Sequence, residues 1–142
     1  MKKIYILLAL FALNNVTHTM PEYDIIVTKN KNIASIHFVS KSNQKIGFVD
    51  YSYNNNDYSG YINRLYVNPS FRSNGLGTLL MRYTFKELQQ VGCTKISWVA
   101  LPDDPSKLPA LIKFYKSLEA VKVFKSLHFV HFEYRPQIPS KI

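Results

Sequence analysis

The chain has 142 residues, of which 46% are hydrophobic, so it is long enough for one compact domain and too short for a second independent core. Its 18 lysine and arginine residues against 9 aspartate and glutamate residues give a net charge of +9, which favours an anionic partner: nucleic acid, an anionic membrane or a polyphosphate cofactor. The basic residues are scattered, which argues against a dedicated nucleic-acid surface. Because Cys93 is the single cysteine and no Cys/His cluster has zinc-ligand spacing, neither a disulfide nor a metal is predicted.

The first segment has the features of a secretory signal peptide. Two lysines precede an apolar run over residues 4–13, which is too short to span a bilayer comfortably, so no stable membrane span is predicted. A second interpretation is that translation starts at Met20, because the pattern of the domain begins directly after it. Both interpretations place residues 1–19 outside the fold and the domain at residues 20–142. The first predicts export, and the second predicts a cytoplasmic protein.

The next part of the chain is predicted to form four strands. Branched and aromatic residues are enriched there without a helical period. The predicted strands are 24–28, 33–40, 45–53 and 58–67. Short turns rich in Asn, Lys, Ser and Asp separate them, which favours an antiparallel meander.

After Pro69 the spacing of apolar residues becomes helical. A first helix that ends near Gly92 is predicted from one stripe of residues: Leu76, Leu79, Leu80, Tyr83, Leu88 and Val91. A strand over 95–100 follows, then a second helix over 108–118, then strands over 121–124 and 127–134. The order strands, helix, strand, helix, strands predicts an α+β domain with a mixed sheet.

Residues 65–80 join the fourth strand to the first helix. Pro69 ends strand pairing because it has no N–H, and Gly75 and Gly77 let the backbone approach a ligand without a Cβ in the way. Unpaired amides at the helix start, with the positive end of the helix dipole, form a natural phosphate site. Arg72 adds a guanidinium that can fork onto phosphate oxygens. On their own, however, two glycines would favour a tight turn and a helix cap over a ligand site.

The surroundings of the two glycines decide between these interpretations. The segment closely resembles the cofactor motif of the GNAT family of N-acetyltransferases, in which a hydrophobic-V-x-P strand end leads into R-x-x-G-x-G and an amphipathic helix. The matching residues are Leu65, Val67, Pro69, Arg72, Gly75 and Gly77. Residues 114–118, FYKSL, resemble the F-Y-x-x-L helix end of the same family. Two motifs in the right order are more specific than either alone, and the resemblance covers residues 45–134.

The resemblance implies a twisted mixed sheet, splayed between the strand that ends at Val67 and the strand over 95–100. It implies acetyl-CoA as co-substrate, with the pantetheine in the splay and no metal. The pyrophosphate is expected on the amides of Arg72, Ser73, Asn74, Gly75, Leu76, Gly77 and Thr78. The pantetheine arm and the thioester carbonyl are expected on the backbone of Leu65, Tyr66 and Val67. Because such folds often pair through their final strands, a homodimer is a further expectation.

Acetyl transfer needs a group that stabilises the departing thiolate and a group that takes a proton from the amine. Tyr115 matches the family's thiolate donor, although its place in the apolar stripe of the helix is an alternative explanation. For the base, residues 58–67 contain no glutamate or histidine where many relatives have a glutamate. A water chain is one solution. The side-chain candidates, each more simply explained as an ordinary strand or surface residue, are Asp50, Asp57, His37, His128 and Glu133.

Two further departures from the family bear on activity and on the acceptor. Leu108 replaces an asparagine that often contacts the cofactor. Only a short turn separates the first two strands, so the family's first two helices are expected to be reduced or absent. Acceptor choice then falls to residues 51–61 and 102–109. Cross-strand packing is nevertheless the commoner explanation for the four tyrosines of the first region, Tyr51, Tyr53, Tyr58 and Tyr61.

The sequence therefore predicts an acetyl-CoA-dependent N-acetyltransferase that acts on an amine of a small molecule or a protein. Two alternatives stay open. One is an acyl-CoA-binding domain of the same fold with little catalytic activity. The other is an exported basic binding protein, if residues 1–19 are a working signal peptide. A start at Met20 agrees better with the transferase, because acetyl-CoA is normally a cytoplasmic cofactor.

Overall fold

A computed structural model describes residues 22–137. It contains the predicted strands and helices in the predicted order. The elements are β1 (Tyr23–Asn30), β2 (Ile33–Ser40), β3 (Lys45–Asn54), β4 (Ser59–Val67), α1 (Leu76–Gln90), β5 (Lys95–Ala100), α2 (Leu108–Lys116), β6 (Val121–Lys125) and β7 (Val130–Tyr134). Short 3-10 turns at Pro69–Phe71 and Pro105–Lys107 precede the two helices.

The predicted start of the last strand, at residue 127, is wrong. Ser126 closes a turn there, because its hydroxyl oxygen accepts hydrogen bonds from the N–H groups of His128 and Phe129, each at 3.1 Å. Its own N–H donates to the Phe129 carbonyl at 2.9 Å. A side-chain hydroxyl that closes a turn is not visible in the alternation of apolar residues on which the strand was predicted.

The strands form one seven-stranded mixed sheet in the order β1-β2-β3-β4-β5-β7-β6. The predicted antiparallel meander of β1 to β4 is confirmed, and the β4–β5 pair is parallel. β1 and β2 are joined by a two-residue turn, in which Lys31 has a φ of 52°. Within residues 22–137 the family's first two helices are therefore absent from their usual place, as predicted.

Both helices cover the same face of the sheet, called here the helix face. Phe85 of α1 and Tyr115 of α2 both contact Trp98 of β5, with ring centroids 5.7 and 5.3 Å apart. The predicted stripe of α1 faces the core, and the buried face of the helix is wider than the stripe. Leu76, Leu80 and Leu88 are buried, but Leu79, Tyr83 and Val91 are only half-buried, whereas Met81, Thr84 and Phe85 are buried. A helix that lies across several strands buries a wider face than one stripe.

The opposite face of the sheet, called here the open face, has no helix against it among the described residues. Aromatic side chains from β2, β3 and β4 form a row on it: the ring centroids of His37 and Phe48 lie 5.6 Å apart, and those of Phe48 and Tyr66 lie 5.5 Å apart. The Arg64 guanidinium lies 4.6 Å from the centroid of the Phe48 ring. The open face is thus accessible to a partner molecule without movement of any described helix.

Candidate functional site

A gap opens in the sheet between β4 and β5. The two strands pair only from Ser59 with Lys95 to Ile62 with Trp98, although β4 continues to Val67. Asn63 follows the last pair, and it has no partner on β3 either, because Tyr51 pairs with Ile62 and Asp50 pairs with Arg64. A bulge of this kind bends its strand and increases its twist. The bulge therefore explains why β4 leaves β5 at this residue.

Backbone groups of β4 line the gap. The Asn68 N–H donates to the Ile46 carbonyl of β3 at 2.8 Å. Alternate residues of an antiparallel strand direct both peptide groups to the same neighbour, so the peptide groups of Tyr66 also face β3. The peptide groups of Leu65 and Val67 then face the gap. Three β4 residues are predicted to bind the cofactor. Leu65 and Val67 direct their peptide groups toward the gap, whereas Tyr66 directs its peptide groups toward β3.

The loop after β4 is held by local hydrogen bonds. Asn68 caps the 3-10 turn, since its side-chain oxygen accepts from the Ser70 N–H at 3.0 Å. The Arg72 Nε then donates to the Val67 carbonyl at 2.9 Å. Arg72 is exposed, and this bond holds its guanidinium at the mouth of the gap. Ser73 follows with a φ of 66°.

The start of α1 leaves amides without helical partners. Gly75 is the N-cap residue with a φ of 77°, and no side chain caps the helix. The first helical hydrogen bond is donated by Leu79 to the Gly75 carbonyl at 3.0 Å, so the N–H groups of Leu76, Gly77 and Thr78 have no acceptor within the helix. No atom lies within 4 Å of a Cβ built on Gly75. Open space, three amides and the helix dipole together form an anion-binding environment.

Gly77 lies against α2, a contact that was not predicted from the sequence. A Cβ at this position would lie 3.3 Å from Cζ of Phe114 and 3.8 Å from a methyl group of Val67. The space beside Gly77 is therefore filled by the protein's own side chains. Phe114 joins α2 to the beginning of α1, and this contact fixes the second motif against the first.

Tyr115 lies on the helix face, close to where β4 and β5 separate. It is 6% exposed and packs against Trp98, the last paired residue of β5, and against Phe132, with ring centroids 5.3 and 5.2 Å away. Burial raises the pKa of Tyr115 to about 12, so its phenol keeps its proton at neutral pH. The position fits both a core residue and a hydrogen-bond donor to a group in the gap.

Two of the predicted base candidates lie on the open face, on β3 and β2. Asp50 accepts hydrogen bonds from Ser35 at 2.6 Å and from Arg64 at 2.8 and 3.0 Å, so both its carboxylate oxygens are engaged. His37 stands behind Phe48 and Tyr66 in the aromatic row. Burial, followed by the charge of Lys45, lowers the pKa of His37.

Two of the other three base candidates lie at the end where β4 and β5 are joined, and the third lies in the turn before β7. Asp57 is at the opposite end of β4 from the loop, where a hydrogen bond from the Ser59 hydroxyl lowers its pKa. Glu133 pairs with Ser97, at a level where β4 and β5 are still joined, and its side chain is ion-paired with Arg135 at 2.6 Å. His128 is exposed in the turn before β7.

The tyrosines predicted to shape an acceptor pocket do not form one group. Tyr51 is buried in the core, and Tyr53 donates to the Lys31 carbonyl at 3.2 Å. Tyr58 is exposed in a turn, while Tyr61 lies on the open face beside Ser97 of β5. The Tyr61 hydroxyl is hydrogen-bonded to the Ser59 hydroxyl at 3.0 Å, so its side chain extends toward the joined part of β4 and β5 and away from the gap. Leu108, which replaces the expected asparagine, is buried in the core.

The comparison with family models decides the family. The model described as "Acetyltransferase (GNAT) family" matches residues 3–119. The chain belongs to the GNAT acetyltransferase family. This membership supports acyl transfer as the class of activity and acetyl-CoA as co-substrate. No curated protein matches the sequence.

Solved structures of GNAT proteins have the same fold. The PaiA N-acetyltransferase from Thermoplasma acidophilum, solved with coenzyme A, is 14% identical to this chain, with a TM-score of 0.63. The match covers 74% of this chain and 62% of the PaiA chain. The ribosomal-protein-S18-alanine N-acetyltransferase from Escherichia coli is 12% identical with a TM-score of 0.64, covering 80% of this chain and 75% of its own. A nourseothricin acetyltransferase is 14% identical with a TM-score of 0.62, covering 79% of this chain and 70% of its own.

Both interpretations of residues 1–19 lie outside the described residues. Within residues 22–137, no helix is long and apolar enough to cross a membrane. The same part of the chain contains no group of three or more His, Cys, Asp or Glu residues suited to a metal ion. The homodimer stays a prediction.

Proposed function

We propose that the protein is an N-acetyltransferase that transfers the acetyl group of acetyl-CoA directly to an amine within a ternary complex. The observation that carries this proposal is the position of the gap: it ends beside the uncapped start of α1, so one extended ligand can bind both. A diphosphate binds the helix start and a pantetheine arm lies in the gap.

The loop and the helix start bind the pyrophosphate. The N–H groups of Leu76, Gly77 and Thr78 lack helical acceptors, and the loop residues Ser73, Asn74 and Gly75 lead the backbone around the phosphates. Arg72 adds a positive charge at the mouth of the gap. Its Nε is bonded to Val67, which leaves the terminal nitrogens of the guanidinium to face phosphate oxygens.

The backbone of β4 binds the pantetheine and the thioester. In a sheet gap, the N–H and carbonyl of Leu65 and the N–H of Val67 replace the bonds that a neighbouring strand would make. An N–H directed at the thioester oxygen stabilises the charge that develops there, and one such donor lowers a barrier by about 3 kcal/mol. The peptide groups of Tyr66 face β3, so they do not take part.

Tyr115 assists departure of the thiolate. Its phenol is protonated at neutral pH, because burial raises its pKa to about 12. A coenzyme A thiolate has the lower proton affinity in water, so a hydrogen bond from Tyr115 stabilises the thiolate as the carbon–sulfur bond breaks, and solvent completes the protonation.

A second candidate function is an acyl-CoA-binding domain with little turnover. Two observations favour it: Leu108 lies in the core instead of an asparagine at the cofactor, and β4 contains no glutamate. Incubation of the full chain with acetyl-CoA and a panel of amines separates the two functions. The panel contains a peptide with a free amino terminus, a lysine peptide with a blocked terminus, and spermidine. Acetylated amine detected by mass spectrometry supports the transferase. Acetyl-CoA binding without any product supports the binding domain.

A further inference from the structure

The gap exposes one residue of β5 to the open face. Val99 is the first residue beyond the last pair with β4, and its side chain is 55% exposed. Trp98 and Ala100, on either side of it, are buried on the helix face, so alternation along the strand places Val99 on the open face. An amine that approaches an acyl group in the gap from the open face passes this residue.

His131 lies beside Val99. The two residues pair across β5 and β7, and paired residues of antiparallel strands place their side chains on the same face, with Cβ atoms about 5 Å apart. The next residue, Phe132, is fully buried on the helix face. The half-buried His131 imidazole is therefore on the open face, one strand away from the gap.

The position of His131 along β7 distinguishes it from Glu133, the other acid–base group on the same face of this strand. Glu133 is on the same face of β7, but it pairs with Ser97, where β4 and β5 are still joined. Asp50 is on the far side of the gap with both carboxylate oxygens engaged. Among residues 22–137, His131 is the titratable group of β7 that lies level with the open part of the gap.

We propose that His131 is the general base that takes the proton from the acceptor amine. This inference rests on the proposed acetyl transfer. It assigns the two proton-handling groups to opposite faces of the sheet: Tyr115 serves the thiolate from the helix face, and His131 serves the amine from the open face. Tyr115 and His131 can therefore act on an acyl group in the gap from opposite faces of the sheet.

The proton transfers then balance. The amine nitrogen attacks the thioester carbon, and the carbonyl electron pair moves onto the oxygen. His131 accepts the excess proton of the nitrogen. The carbon–sulfur bond breaks with a hydrogen bond from the Tyr115 phenol, and the departing thiolate takes a proton. Solvent carries the proton from the imidazolium to the sulfur side, so each cycle converts an amine and acetyl-CoA into an amide and coenzyme A.

The charged groups that face His131 are already paired. Glu133, two residues along β7 on the same face, is bonded to Arg135 at 2.6 Å. Across the gap, Asp50 and Arg64 are bonded at 2.8 Å. The residues that flank His131 on β5 and β6 are uncharged. Substitution of His131 therefore tests the imidazole itself rather than the charge of a neighbouring group.

The test compares the full chain with its His131→Gln and His37→Gln variants. His37 is the matched control, because it is another half-buried histidine of the open face that stands behind two aromatic rings. Initial rates of thiol release from saturating acetyl-CoA are measured over acidic and alkaline pH. The acceptor is whichever of the three amines named above the wild-type protein acetylates. Acetyl-CoA affinity is measured for every variant.

His131→Gln is expected to lower kcat about 100-fold or more at neutral pH and to change the dependence of the rate on pH. Acetyl-CoA affinity and the His37→Gln rates are expected to stay within about twofold. Imidazole in the buffer is expected to restore part of the rate of His131→Ala, which a purely structural defect would not allow.

A wild-type rate and pH profile in folded His131→Gln and His131→Ala would overturn the assignment. If His131→Gln does not fold, His131→Asn and the imidazole rescue of His131→Ala decide the question. Failure of the proposed function is distinguishable, since the wild-type protein itself would then bind acetyl-CoA and acetylate none of the three amines.

Discussion

The two faces of the gap between β4 and β5 are built in different ways. The groups proposed to bind the cofactor are backbone amides of β4 and of the first turn of α1, positioned by the bulge at Asn63 and by Gly75. The group proposed to act on the acceptor is a side chain of the open face, contributed by β7. A backbone site can be encoded in one short segment, whereas a side-chain site is assembled from strands far apart in the sequence.

This difference predicts how each side responds to substitution. On the cofactor side, changes to glycine or to an anchoring charge are expected to alter binding. On the reaction side, changes to single polar groups are expected to alter turnover while binding persists. A cofactor-side substitution that lowered turnover without weakening binding, or a reaction-side substitution that weakened binding, would contradict this division.

The largest effect expected in this set is that of Tyr115→Phe. Removal of the hydroxyl should lower kcat about 10- to 100-fold, because the thiolate loses its hydrogen bond, while acetyl-CoA affinity stays within about twofold. The pKa of Tyr115 is raised to about 12 by burial. The phenol therefore keeps its proton below that pH, and its ionisation should cause no loss of wild-type activity between neutral and moderately alkaline pH. Steady-state kinetics with isothermal titration calorimetry would measure both quantities, and an equal loss of affinity and turnover would place Tyr115 on the cofactor side.

A smaller effect is expected from Arg72→Ala. The variant loses the charge at the mouth of the gap and the bond to the Val67 carbonyl, so acetyl-CoA should bind about tenfold more weakly, equivalent to about 1.4 kcal/mol. Arg82→Ala makes the same charge change on an exposed position of α1 and should leave the affinity nearly unchanged. Equal losses in the two variants would mean that overall charge, rather than a contact at the gap, attracts the cofactor.

The smallest effect concerns stability rather than binding. In a Phe114→Ala background, Gly77→Ala should stabilise the protein by about 0.5–1 kcal/mol, because alanine is the better helix former. In the wild-type background the new Cβ would lie 3.3 Å from Phe114, which should cancel that gain. Urea denaturation of the four proteins would give a coupling energy of about 1 kcal/mol. Additive changes would show that the two residues do not touch.

Most of the fold could be predicted from the sequence because its signals are local. The strands over residues 33–40 and 95–100 begin and end where predicted, since turn residues bound each apolar run. The start of β7 was predicted too early, because one hydroxyl of Ser126 closes the preceding turn. The buried face of α1 is wider than the predicted stripe, because Met81 and Phe85 also pack against the sheet, and the stripe was predicted from the helix alone.

The candidate site could be predicted only in part, because contacts between distant elements leave no local signal in the sequence. The loop from Arg72 to Gly77 was recognisable, but its sequence did not reveal that Phe114 fills the space beside Gly77. The direction of the Tyr66 peptide groups depends on the strand register with β3. His131 was not among the predicted bases, because its relation to the gap arises from the order β4-β5-β7. The signal available in the sequence was its alternation with buried Val130 and Phe132.

The central claim is that the start of α1 binds the diphosphate of acetyl-CoA, and two glycines allow a direct measurement. Gly75 and Gly92 stand at opposite ends of α1 with φ values of 77° and 93°, so replacing either with alanine should cost about 1 kcal/mol of stability. Acetyl-CoA should be titrated by calorimetry into the wild type and both variants. The wild type and Gly92→Ala are expected to bind with similar affinity, and Gly75→Ala is expected to bind at least about tenfold more weakly. Equal affinity in all three proteins, or no binding by the wild type, would contradict the central claim.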